Sequence, residues 1–353
     1  QQLLLPRMYS YSGPKMKSTD VNKDGLQDLF ICGPAGQSSS LFIQNMQGGF
    51  KPSNVALFES DKASQDENAF FFDADMDGDM DLYVVSGAYL TTLPDQFQDR
   101  LYLNDRKGNF TKAPNNIPKE TYCGAVAVPL DVDGDGDTDL FIGNRMLPGQ
   151  YPMAPPSQFL INDGQGVFTN QIASVADDLE HAGMITDALA MDLNKDGAMD
   201  LIVVGEWMSI KIMINEHGKL VDKSRDWLGE NTSGWWNVIT GEDYDQDGDI
   251  DLIVGNAGEN NQYKVSADHP ITLVYKDFDG NGQVDPFLSY FIDGISYPYA
   301  SRDEALGQVG FLRNRFLDYN SYAPATLKDI FTPDELRDTT TLKAQILSTL
   351  YLE

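Results

Sequence analysis

The sequence predicts an all-β chain, a β-propeller of four-stranded antiparallel blades with a helical insertion near the C-terminus, and three observations predict it. A ladder of the form Asp-x-Asp/Asn-x-Asp/Asn-Gly-x-x-Asp is spelled six times, from Asp20, Asp73, Asp131, Asp192, Asp243 and Asp277. The first five ladders start 51 to 61 residues apart, which is a repeat period. After each comes a short apolar run, such as Leu82-Tyr83-Val84-Val85 or Leu252-Ile253-Val254, of the length and β-rich character of a buried strand.

The rest of each repeat follows in order. The first four carry a second strand pair: Leu41-Phe42-Ile43-Gln44-Asn45, Leu101-Tyr102-Leu103-Asn104, Phe159-Leu160-Ile161-Asn162 and Ile212-Met213-Ile214-Asn215. A Gly-containing turn and an apolar residue come next (Phe50, Phe110, Phe168, Leu220), which is a hairpin. Each unit thus supplies four strands with the ladder between the first and second. Five blades are clear, as part of a ring that in such architectures usually has seven. The sixth ladder starts only 34 residues after the fifth and follows Ile271-Thr272-Leu273-Val274-Tyr275. It is expected between the third and fourth strands of the fifth blade, on the same face as the other five. Ser301-Arg302-Asp303-Glu304 is a capping box predicting a helix through about Phe316, and Thr332-Pro333-Asp334-Glu335 is another. The expected boundaries are blades over 1–300, a helical insertion over 301–340, and a further strand or blade starting in 341–353.

Hard oxygen donors at alternate positions are how a loop wraps a Ca²⁺ ion, which takes six to eight oxygens. Side chains are expected from positions one, three, five and nine, and a backbone carbonyl from position seven. The candidate ligands are therefore Asp20, Asn22, Asp24, Leu26 and Asp28; Asp73, Asp75, Asp77, Asp79 and Asp81; Asp131, Asp133, Asp135, Asp137 and Asp139; Asp192, Asn194, Asp196, Ala198 and Asp200; Asp243, Asp245, Asp247, Asp249 and Asp251; and Asp277, Asp279, Asn281, Gln283 and Asp285. About six Ca²⁺ ions are expected. An EF-hand would need a glutamate at position twelve, where this chain has Ile31, Val84, Ile142, Val203, Val254 and Leu288. A solvated acidic turn is the plain alternative for any one ladder; six in one register argue against it.

These ladders, with the "LYLNDRKGNF" and "FLINDGQGVF" hairpins, resemble FG-GAP/VCBS-type repeats, the blades of the integrin α-subunit propeller and of many secreted bacterial proteins. The segments "GEWMSI", "GWWNVI", "DFDGNGQVDP" and "YPYASRDE" are similar to VCBS-repeat exported proteins of Bacteroidota. The resemblance covers nearly the whole chain and implies a calcium-loaded propeller; it implies little about activity.

Net charge is −29, and roughly two fifths of the 54 acidic residues are ladder positions, so the acidity is largely a cation-binding signature. Its sign argues against nucleic acid, whose phosphates need a basic surface. No run of about eighteen apolar residues suggests a membrane span. Open loops of this kind bind calcium with dissociation constants of roughly 10⁻⁴ to 10⁻³ M, and fill outside cells. The expected location is extracellular, cell-surface or periplasmic, with a leader removed or Gln1 internal to a longer chain. Cys32 and Cys123 are either buried thiols or, given export, a disulfide.

Catalytic signals are thin. His181, His217 and His269 are scattered, with no nucleophile elbow or phosphate loop. Calcium-bound carboxylates make poor proton carriers near neutral pH. Ligand candidates are expected on the face opposite the ladders, where the long turns 87–100, 143–158 and 255–270 emerge with Tyr89, Arg100, Arg145, Tyr151, Glu206, Trp207, Asn256 and Glu259. Of these, Arg100, Arg145, Tyr151 and Trp207 are singled out, because aromatic rings beside polar forks suit sugars. Packing is the competing reading for Trp207, Trp235 and Trp236. The expected function is a binding or interaction scaffold for a glycan or a surface or secreted protein; the alternative is a polysaccharide lyase or hydrolase.

Overall fold

The computed structural model describes residues 2–6, 15–87, 93–119 and 122–353, and these are nearly all β. Four sheets follow the expected order. The first runs β1 (Met16–Thr19), β2 (Asp28–Ile31), β3 (Ser40–Gln44), β4 (Phe50–Ser53), each strand antiparallel to the next. The second is β5 (Asp66–Phe72), β6 (Asp81–Ser86), β7 (Arg100–Asn104) and β8 (Phe110–Lys112). The third is β9 (Cys123–Leu130), β10 (Asp139–Met146), β11 (Gln158–Ile161) and β12 (Thr169–Asn170). The fourth comprises β13 (Met184–Met191), β14 (Asp200–Ser209), β15 (Lys211–Asn215) and β16 (Leu220–Asp222), with β17 (Ser233–Trp235) added along the far end of β14.

Consecutive sheets pack face to face, because a two-faced apolar strand needs cover on both sides. Phe30 and Leu41 of the first meet Leu82, Val84 and Tyr102 of the second. Tyr83 and Leu101 meet Leu140, Ile142 and Leu160; Phe141 and Phe159 meet Leu201, Val203 and Met213; Ile202 and Ile212 meet Leu252 and Val254. The first strands of the blades pack in succession, and the charges of Lys15 and Lys17 at β1 reach Asp187 on β13, so these strands surround one axis.

The fifth and sixth sheets correct the expectation for the sixth ladder, while the fifth lies between the first two strands of its blade as expected. The fifth is β18 (Val238–Glu242), β19 (Asp251–Gly255) and, as its third strand, β24 (Leu350–Leu352). Between β19 and β24 the chain builds a separate sheet, ordered β22 (Ile295–Pro298), β21 (Asp285–Ile292), β20 (Ile271–Lys276), β23 (Thr340–Ala344). The β20–β21 hairpin therefore does not extend the fifth blade, and residues 341–353 do not open a new one. Leu350 and Leu352 occupy the edge beside Val254 and Leu252 that β20 was expected to take.

This sixth sheet lies against the long-turn face of the propeller: Ile271, Leu273, Leu288 and Ala344 pack with Phe97, Met146, Tyr151, Met184, Trp207 and Trp235. Its other cover is helical. The capping box at Ser301 forms and opens a helix over Arg302–Gln308, which ends sooner than expected and passes into a 3₁₀ turn over Gly310–Asn314. Thr332 and Glu335 exchange both capping hydrogen bonds (2.8 and 3.3 Å) but start only a turn. Short helices over Tyr319–Tyr322 and Leu327–Ile330 bury Tyr322 and Ile330 with Phe287 and Phe331.

Candidate metal centres

Each ladder is a tight loop between two strands, and its shape is set by its own residues. The sixth residue is glycine with positive φ in all six: Gly25, Gly78, Gly136, Gly197, Gly248 and Gly282. The fourth is also left-handed, at Lys23, Met76, Lys195 and Gln246 without the freedom of glycine. The first aspartate holds this conformation by accepting the glycine amide: Gly25 N donates to Asp20 at 2.7 Å, Gly78 N to Asp73 at 2.8 Å, Gly248 N to Asp243 at 3.1 Å. The ninth aspartate is buried in every ladder and closes the loop. One of its oxygens accepts the amide of the second residue, as from Ala74 to Asp81 at 2.9 Å and Val132 to Asp139 at 3.1 Å. The other accepts from the end of the third strand, as from Asn104 N to Asp81 at 2.8 Å.

The structure brings the first, third and ninth positions together. Carboxylate oxygens of Asp73, Asp75 and Asp81 lie within 4.8 Å of one another, as do those of Asp131, Asp133 and Asp139, of Asp243, Asp245 and Asp251, and of Asp277, Asp279 and Asp285. In the first and fourth ladders, Asn22 and Asn194 stand at position three beside Asp20, Asp28 and Asp192, Asp200. Fifth-position side chains, Asp24, Asp77, Asp135, Asp196, Asp247 and Asn281, are exposed and outside these constellations; each accepts the amide of the seventh residue, at 2.8 to 3.1 Å. The donors are all oxygen, the set that suits a hard divalent cation. Burial pushes Asp81 and Asp139 up to about 7 against the pull of two backbone amides each, and neighbouring carboxylates add to it. Buried oxygens of Asp75, Asp79, Asp137 and Asp249 have no hydrogen-bond partner. A cation would relieve both, so the residues fit calcium.

At position seven, Leu26, Ala198 and Asp249 are half-buried, Gln283 is exposed, and Asp79 and Asp137 are buried. Glu353 was not legible as a candidate: β24 carries it beside Asp245 and Asp247, all three exposed. Its signal is the likeness of Leu350-Tyr351-Leu352 to Leu101-Tyr102-Leu103.

Five ladders adjoin in succession. Lys23 Nζ donates to the Gly78 carbonyl at 2.7 Å, hairpin asparagines bridge the second ladder to the third and the third to the fourth, and the charge of Lys195 on the fourth acts on Asp247 and Asp249 of the fifth. The sixth does not share their face, against expectation. Gln150, beyond the far end of β10, donates to Gly282 O at 3.0 Å and accepts from Val284 N at 3.1 Å. Gln2 donates to Val284 O at 2.8 Å and to Tyr151 O at 3.0 Å, and Gln308 donates to Asp285 at 2.7 Å. The reason is that this ladder belongs to the inserted sheet.

The same sheet overturns the expected display of ligand groups. Tyr151 (0% exposed) and Trp207 (5%) are buried beneath it, with Trp207 Nε1 donating to Tyr151 Oη at 2.7 Å and its ring 4.8 Å from that of Trp235. Trp207 sits at a β-bulge with φ 61°, which turns its ring out of the ladder register of β14. Arg100 is buried in an ion pair with Asp66, and also donates to Ser86 Oγ at 3.0 Å. Arg145 pairs with buried Glu206 and keeps part of its side chain in solvent. Asn256 accepts from Trp235 N at 3.2 Å and donates to Ile346 O at 2.9 Å, while Glu259 is exposed. Tyr89 lies outside the described residues. Trp235 and Trp236 do point to opposite faces, and both are buried, in different clusters. Cys32 and Cys123 are free buried thiols in different clusters, and burial pushes Cys32 up to about 12. The three histidines are exposed and apart from one another. Among the described residues, no helix is long and apolar enough to cross a membrane.

An open cleft of about 590 Å³ lies outside the fourth sheet, lined by Asp178, Ser209, Lys211, Asp222, Ser224, Arg225, Glu230, Asn231 and Thr232 among others. Trp227, half-exposed at 49%, neighbours its Arg225 and Asp226 on the short helix Ser224–Leu228.

A family model described as FG-GAP-like repeat matches residues 20–84, 131–203 and 192–254, together more than half of the chain. Among curated proteins none matches the sequence. Similar solved structures include a lectin of Agrocybe aegerita, described for specific recognition of non-reducing terminal N-acetylglucosamine, at 17% identity and TM-score 0.46 over 95% of this chain and 86% of that one. A putative exo-β-1,3-galactanase from Bifidobacterium bifidum is 11% identical, with TM-score 0.35 over 82% and 91%. The V. cholerae biofilm matrix protein Bap1 is 14% identical, with TM-score 0.25 over 97% and 62%.

Proposed function

The chain belongs to the FG-GAP-like repeat family, and from that premise we infer that it is a calcium-stabilised propeller serving outside the cytosol as a binding scaffold for glycan or protein. One observation carries the calcium reading: four ladders gather the oxygens of their first, third and ninth aspartates within 4.8 Å. Like charges so close raise the free energy of the cation-free loop, and a hard divalent ion reverses the sign of that interaction. Calcium titration followed by calorimetry tests it; a chain that takes up no calcium at millimolar concentration would refute it.

For the ligand, the buried long-turn face gives way to the cleft beside Trp227. Hydroxyls of Ser209, Ser224 and Thr232, the Asn231 amide and the Lys211–Asp222 pair (2.6 Å) offer donors and acceptors at one opening, and the exposed Trp227, itself outside the lining, is carried by the short helix whose Ser224, Arg225 and Asp226 line it. This suits a sugar better than an apolar ligand. A glycan array probed with wild type and Trp227→Ala tests it; binding that survives the substitution places recognition elsewhere. Incubation with polysaccharides separates the enzyme alternative, since reducing or unsaturated ends that accumulate with time would replace holding by cleavage. An exported location is tested by fractionation, where a stable cytosolic pool counts against it.

A further inference from the structure

Resting on the calcium reading above, we propose that the sixth ladder is a latch: calcium binding there fastens the inserted sheet to the third blade, and with it the cover of the long-turn face. The closing aspartate is held unlike its five counterparts. In the first four ladders one oxygen of the ninth aspartate accepts an amide from the end of the third strand, from Gln44, Asn104, Asn162 and Asn215 at 2.8 to 2.9 Å. In the fifth it accepts the Tyr351 hydroxyl at 2.6 Å, again from the third strand. Those five loops are closed from within their own sheet. In the sixth the donor to that oxygen is Gln308 Nε2, at 2.7 Å, from the helix Arg302–Gln308. Gln308 Oε1 in turn accepts Leu3 N at 2.8 Å, so the closing oxygen is wired out of the sheet to the segment 2–6.

The far side of the loop is held by the propeller. Gln150 donates to Gly282 O at 3.0 Å and accepts from Val284 N at 3.1 Å, a two-pronged clasp astride Gln283, the residue expected to offer its backbone carbonyl. Gln2 joins Val284 O to Tyr151, donating to both carbonyls and accepting from Tyr151 N at 3.1 Å. The clasp closes only where the loop presents Gly282 O and Val284 N together. That turn is set by the ladder itself: Gly282 N donates to Asp277 and Gln283 N to Asn281, each at 2.8 Å. Oxygens of Asp277, Asp279 and Asp285 lie within 4.8 Å of one another, so without a counter-charge their repulsion opposes the same turn, and a divalent cation among them favours it. The strands entering and leaving this ladder carry Ile271, Leu273 and Leu288, which pack with Tyr151 and Trp207. The loop's order and the sheet's docking are therefore linked, and such linkage is reciprocal.

Hydrogen exchange of the whole chain, in millimolar calcium and in chelator, tests this on wild type, Asp279→Ala and Gln150→Ala, with Asp133→Ala of the third ladder as control. Asp279 is exposed, so its truncation removes a ladder oxygen without opening a cavity. In wild type, calcium should slow exchange by about fivefold or more, the low end of coupling between linked sites. The slowing should reach beyond 277–285 into β20, β21, β23 and the turn 147–153. Asp279→Ala should lose it in the sheet and the turn while keeping it at the other five ladders, and Asp133→Ala should keep it in the sheet. Gln150→Ala leaves every ladder oxygen in place, so it should take up calcium as wild type does yet lose the slowing in 147–153; it carries the test should Asp279→Ala fold poorly. Calcium that slows exchange in 277–285 alone, with the sheet and the turn as in chelator, overturns the latch, and the sheet is then seated by its apolar face. Failure of the underlying reading looks different: wild type would take up no calcium at all, and the latch would fall with it.

Discussion

Asn162 Nδ2 donates to the carbonyl of Ala74 at 2.9 Å across 88 residues of sequence, tying the third blade's hairpin to the second blade's ladder. The arrangement repeats, with Asn104 on Val21 at 2.8 Å and Asn215 on Val132 at 2.9 Å, and each amide also reaches its own ladder, at Thr138, Met80 and Met199. One side chain thus fixes two ladder loops relative to each other. Losing a buried hydrogen bond and leaving a carbonyl unpaired costs about 1–3 kcal/mol. Asn162→Ala should lose that much in urea unfolding, and a variant as stable as wild type would show that blade-to-blade packing alone sets the ladder spacing.

Calcium is expected to act through the native state only. Binding at a hundredfold excess over the dissociation constant stabilises by about 2.7 kcal/mol per site, and several sites compound. Asp133 is exposed and accepts a long hydrogen bond of 3.3 Å from Asp135 N. Asp133→Ala should therefore lower the melting temperature in millimolar calcium and leave it unchanged in chelator. Equal losses in both conditions would make the residue structural.

What was legible in the sequence was what is local. The ladder fixes its own loop through residues at most nine apart, and the two strands flanking it pair directly, so both could be read from spacing. The partner of β19 could not. Val254 pairs with Leu350, 96 positions on, and nothing in the periodicity of Ile271–Tyr275 distinguishes a strand that continues a blade from one that starts a separate sheet. The choice is made by long-range packing, with Leu350 and Leu352 closing the core around Trp236 and Ile239 while Leu273 and Ile271 cover Trp207 and Trp235. The burial of Tyr151 and Trp207 followed from that same unseen pairing, whereas Arg100 is buried by Asp66 and Ser86 of its own blade. Their residue types suited a binding face, and only the inserted sheet shows that the face is an interior.

The raised carboxylates give a pH dependence whose sign changes with calcium. Asp81 and Asp139 titrate near 7 in the folded, cation-free chain against 3.8 for an ordinary aspartate, chiefly because they are buried. Between these values the folded state binds more protons than the unfolded one, so stability falls as pH rises through the window. In chelator, the melting temperature should climb as pH is lowered from about 8 to about 5. With calcium saturating, protons compete with the ion for the same oxygens, and the trend should flatten or reverse. A cation-free protein that loses stability on mild acidification would contradict the assignment of these two aspartates as buried and cation-dependent.

Trp207 and Trp227 should separate packing from recognition. Trp207 donates to Tyr151, stacks near Trp235 and lies under Ile271 and Leu273, so it joins the fourth blade to the inserted sheet. Truncating such a buried aromatic costs about 3–5 kcal/mol. Trp207→Ala should show that loss in urea unfolding, and hydrogen exchange should quicken in β20, β21 and β23 before it does in β5 or β9, because the sheet loses its seat while the blades keep theirs. Trp227 is half-exposed on a short surface helix, and its truncation should change stability by no more than about 0.5 kcal/mol. If it stacks on sugar, the same truncation removes glycan retention. A Trp207→Ala chain of unchanged stability and exchange would mean that the inserted sheet is held by its helices and by Gln150 and Gln2 instead, and the long-turn face would again be open to a ligand.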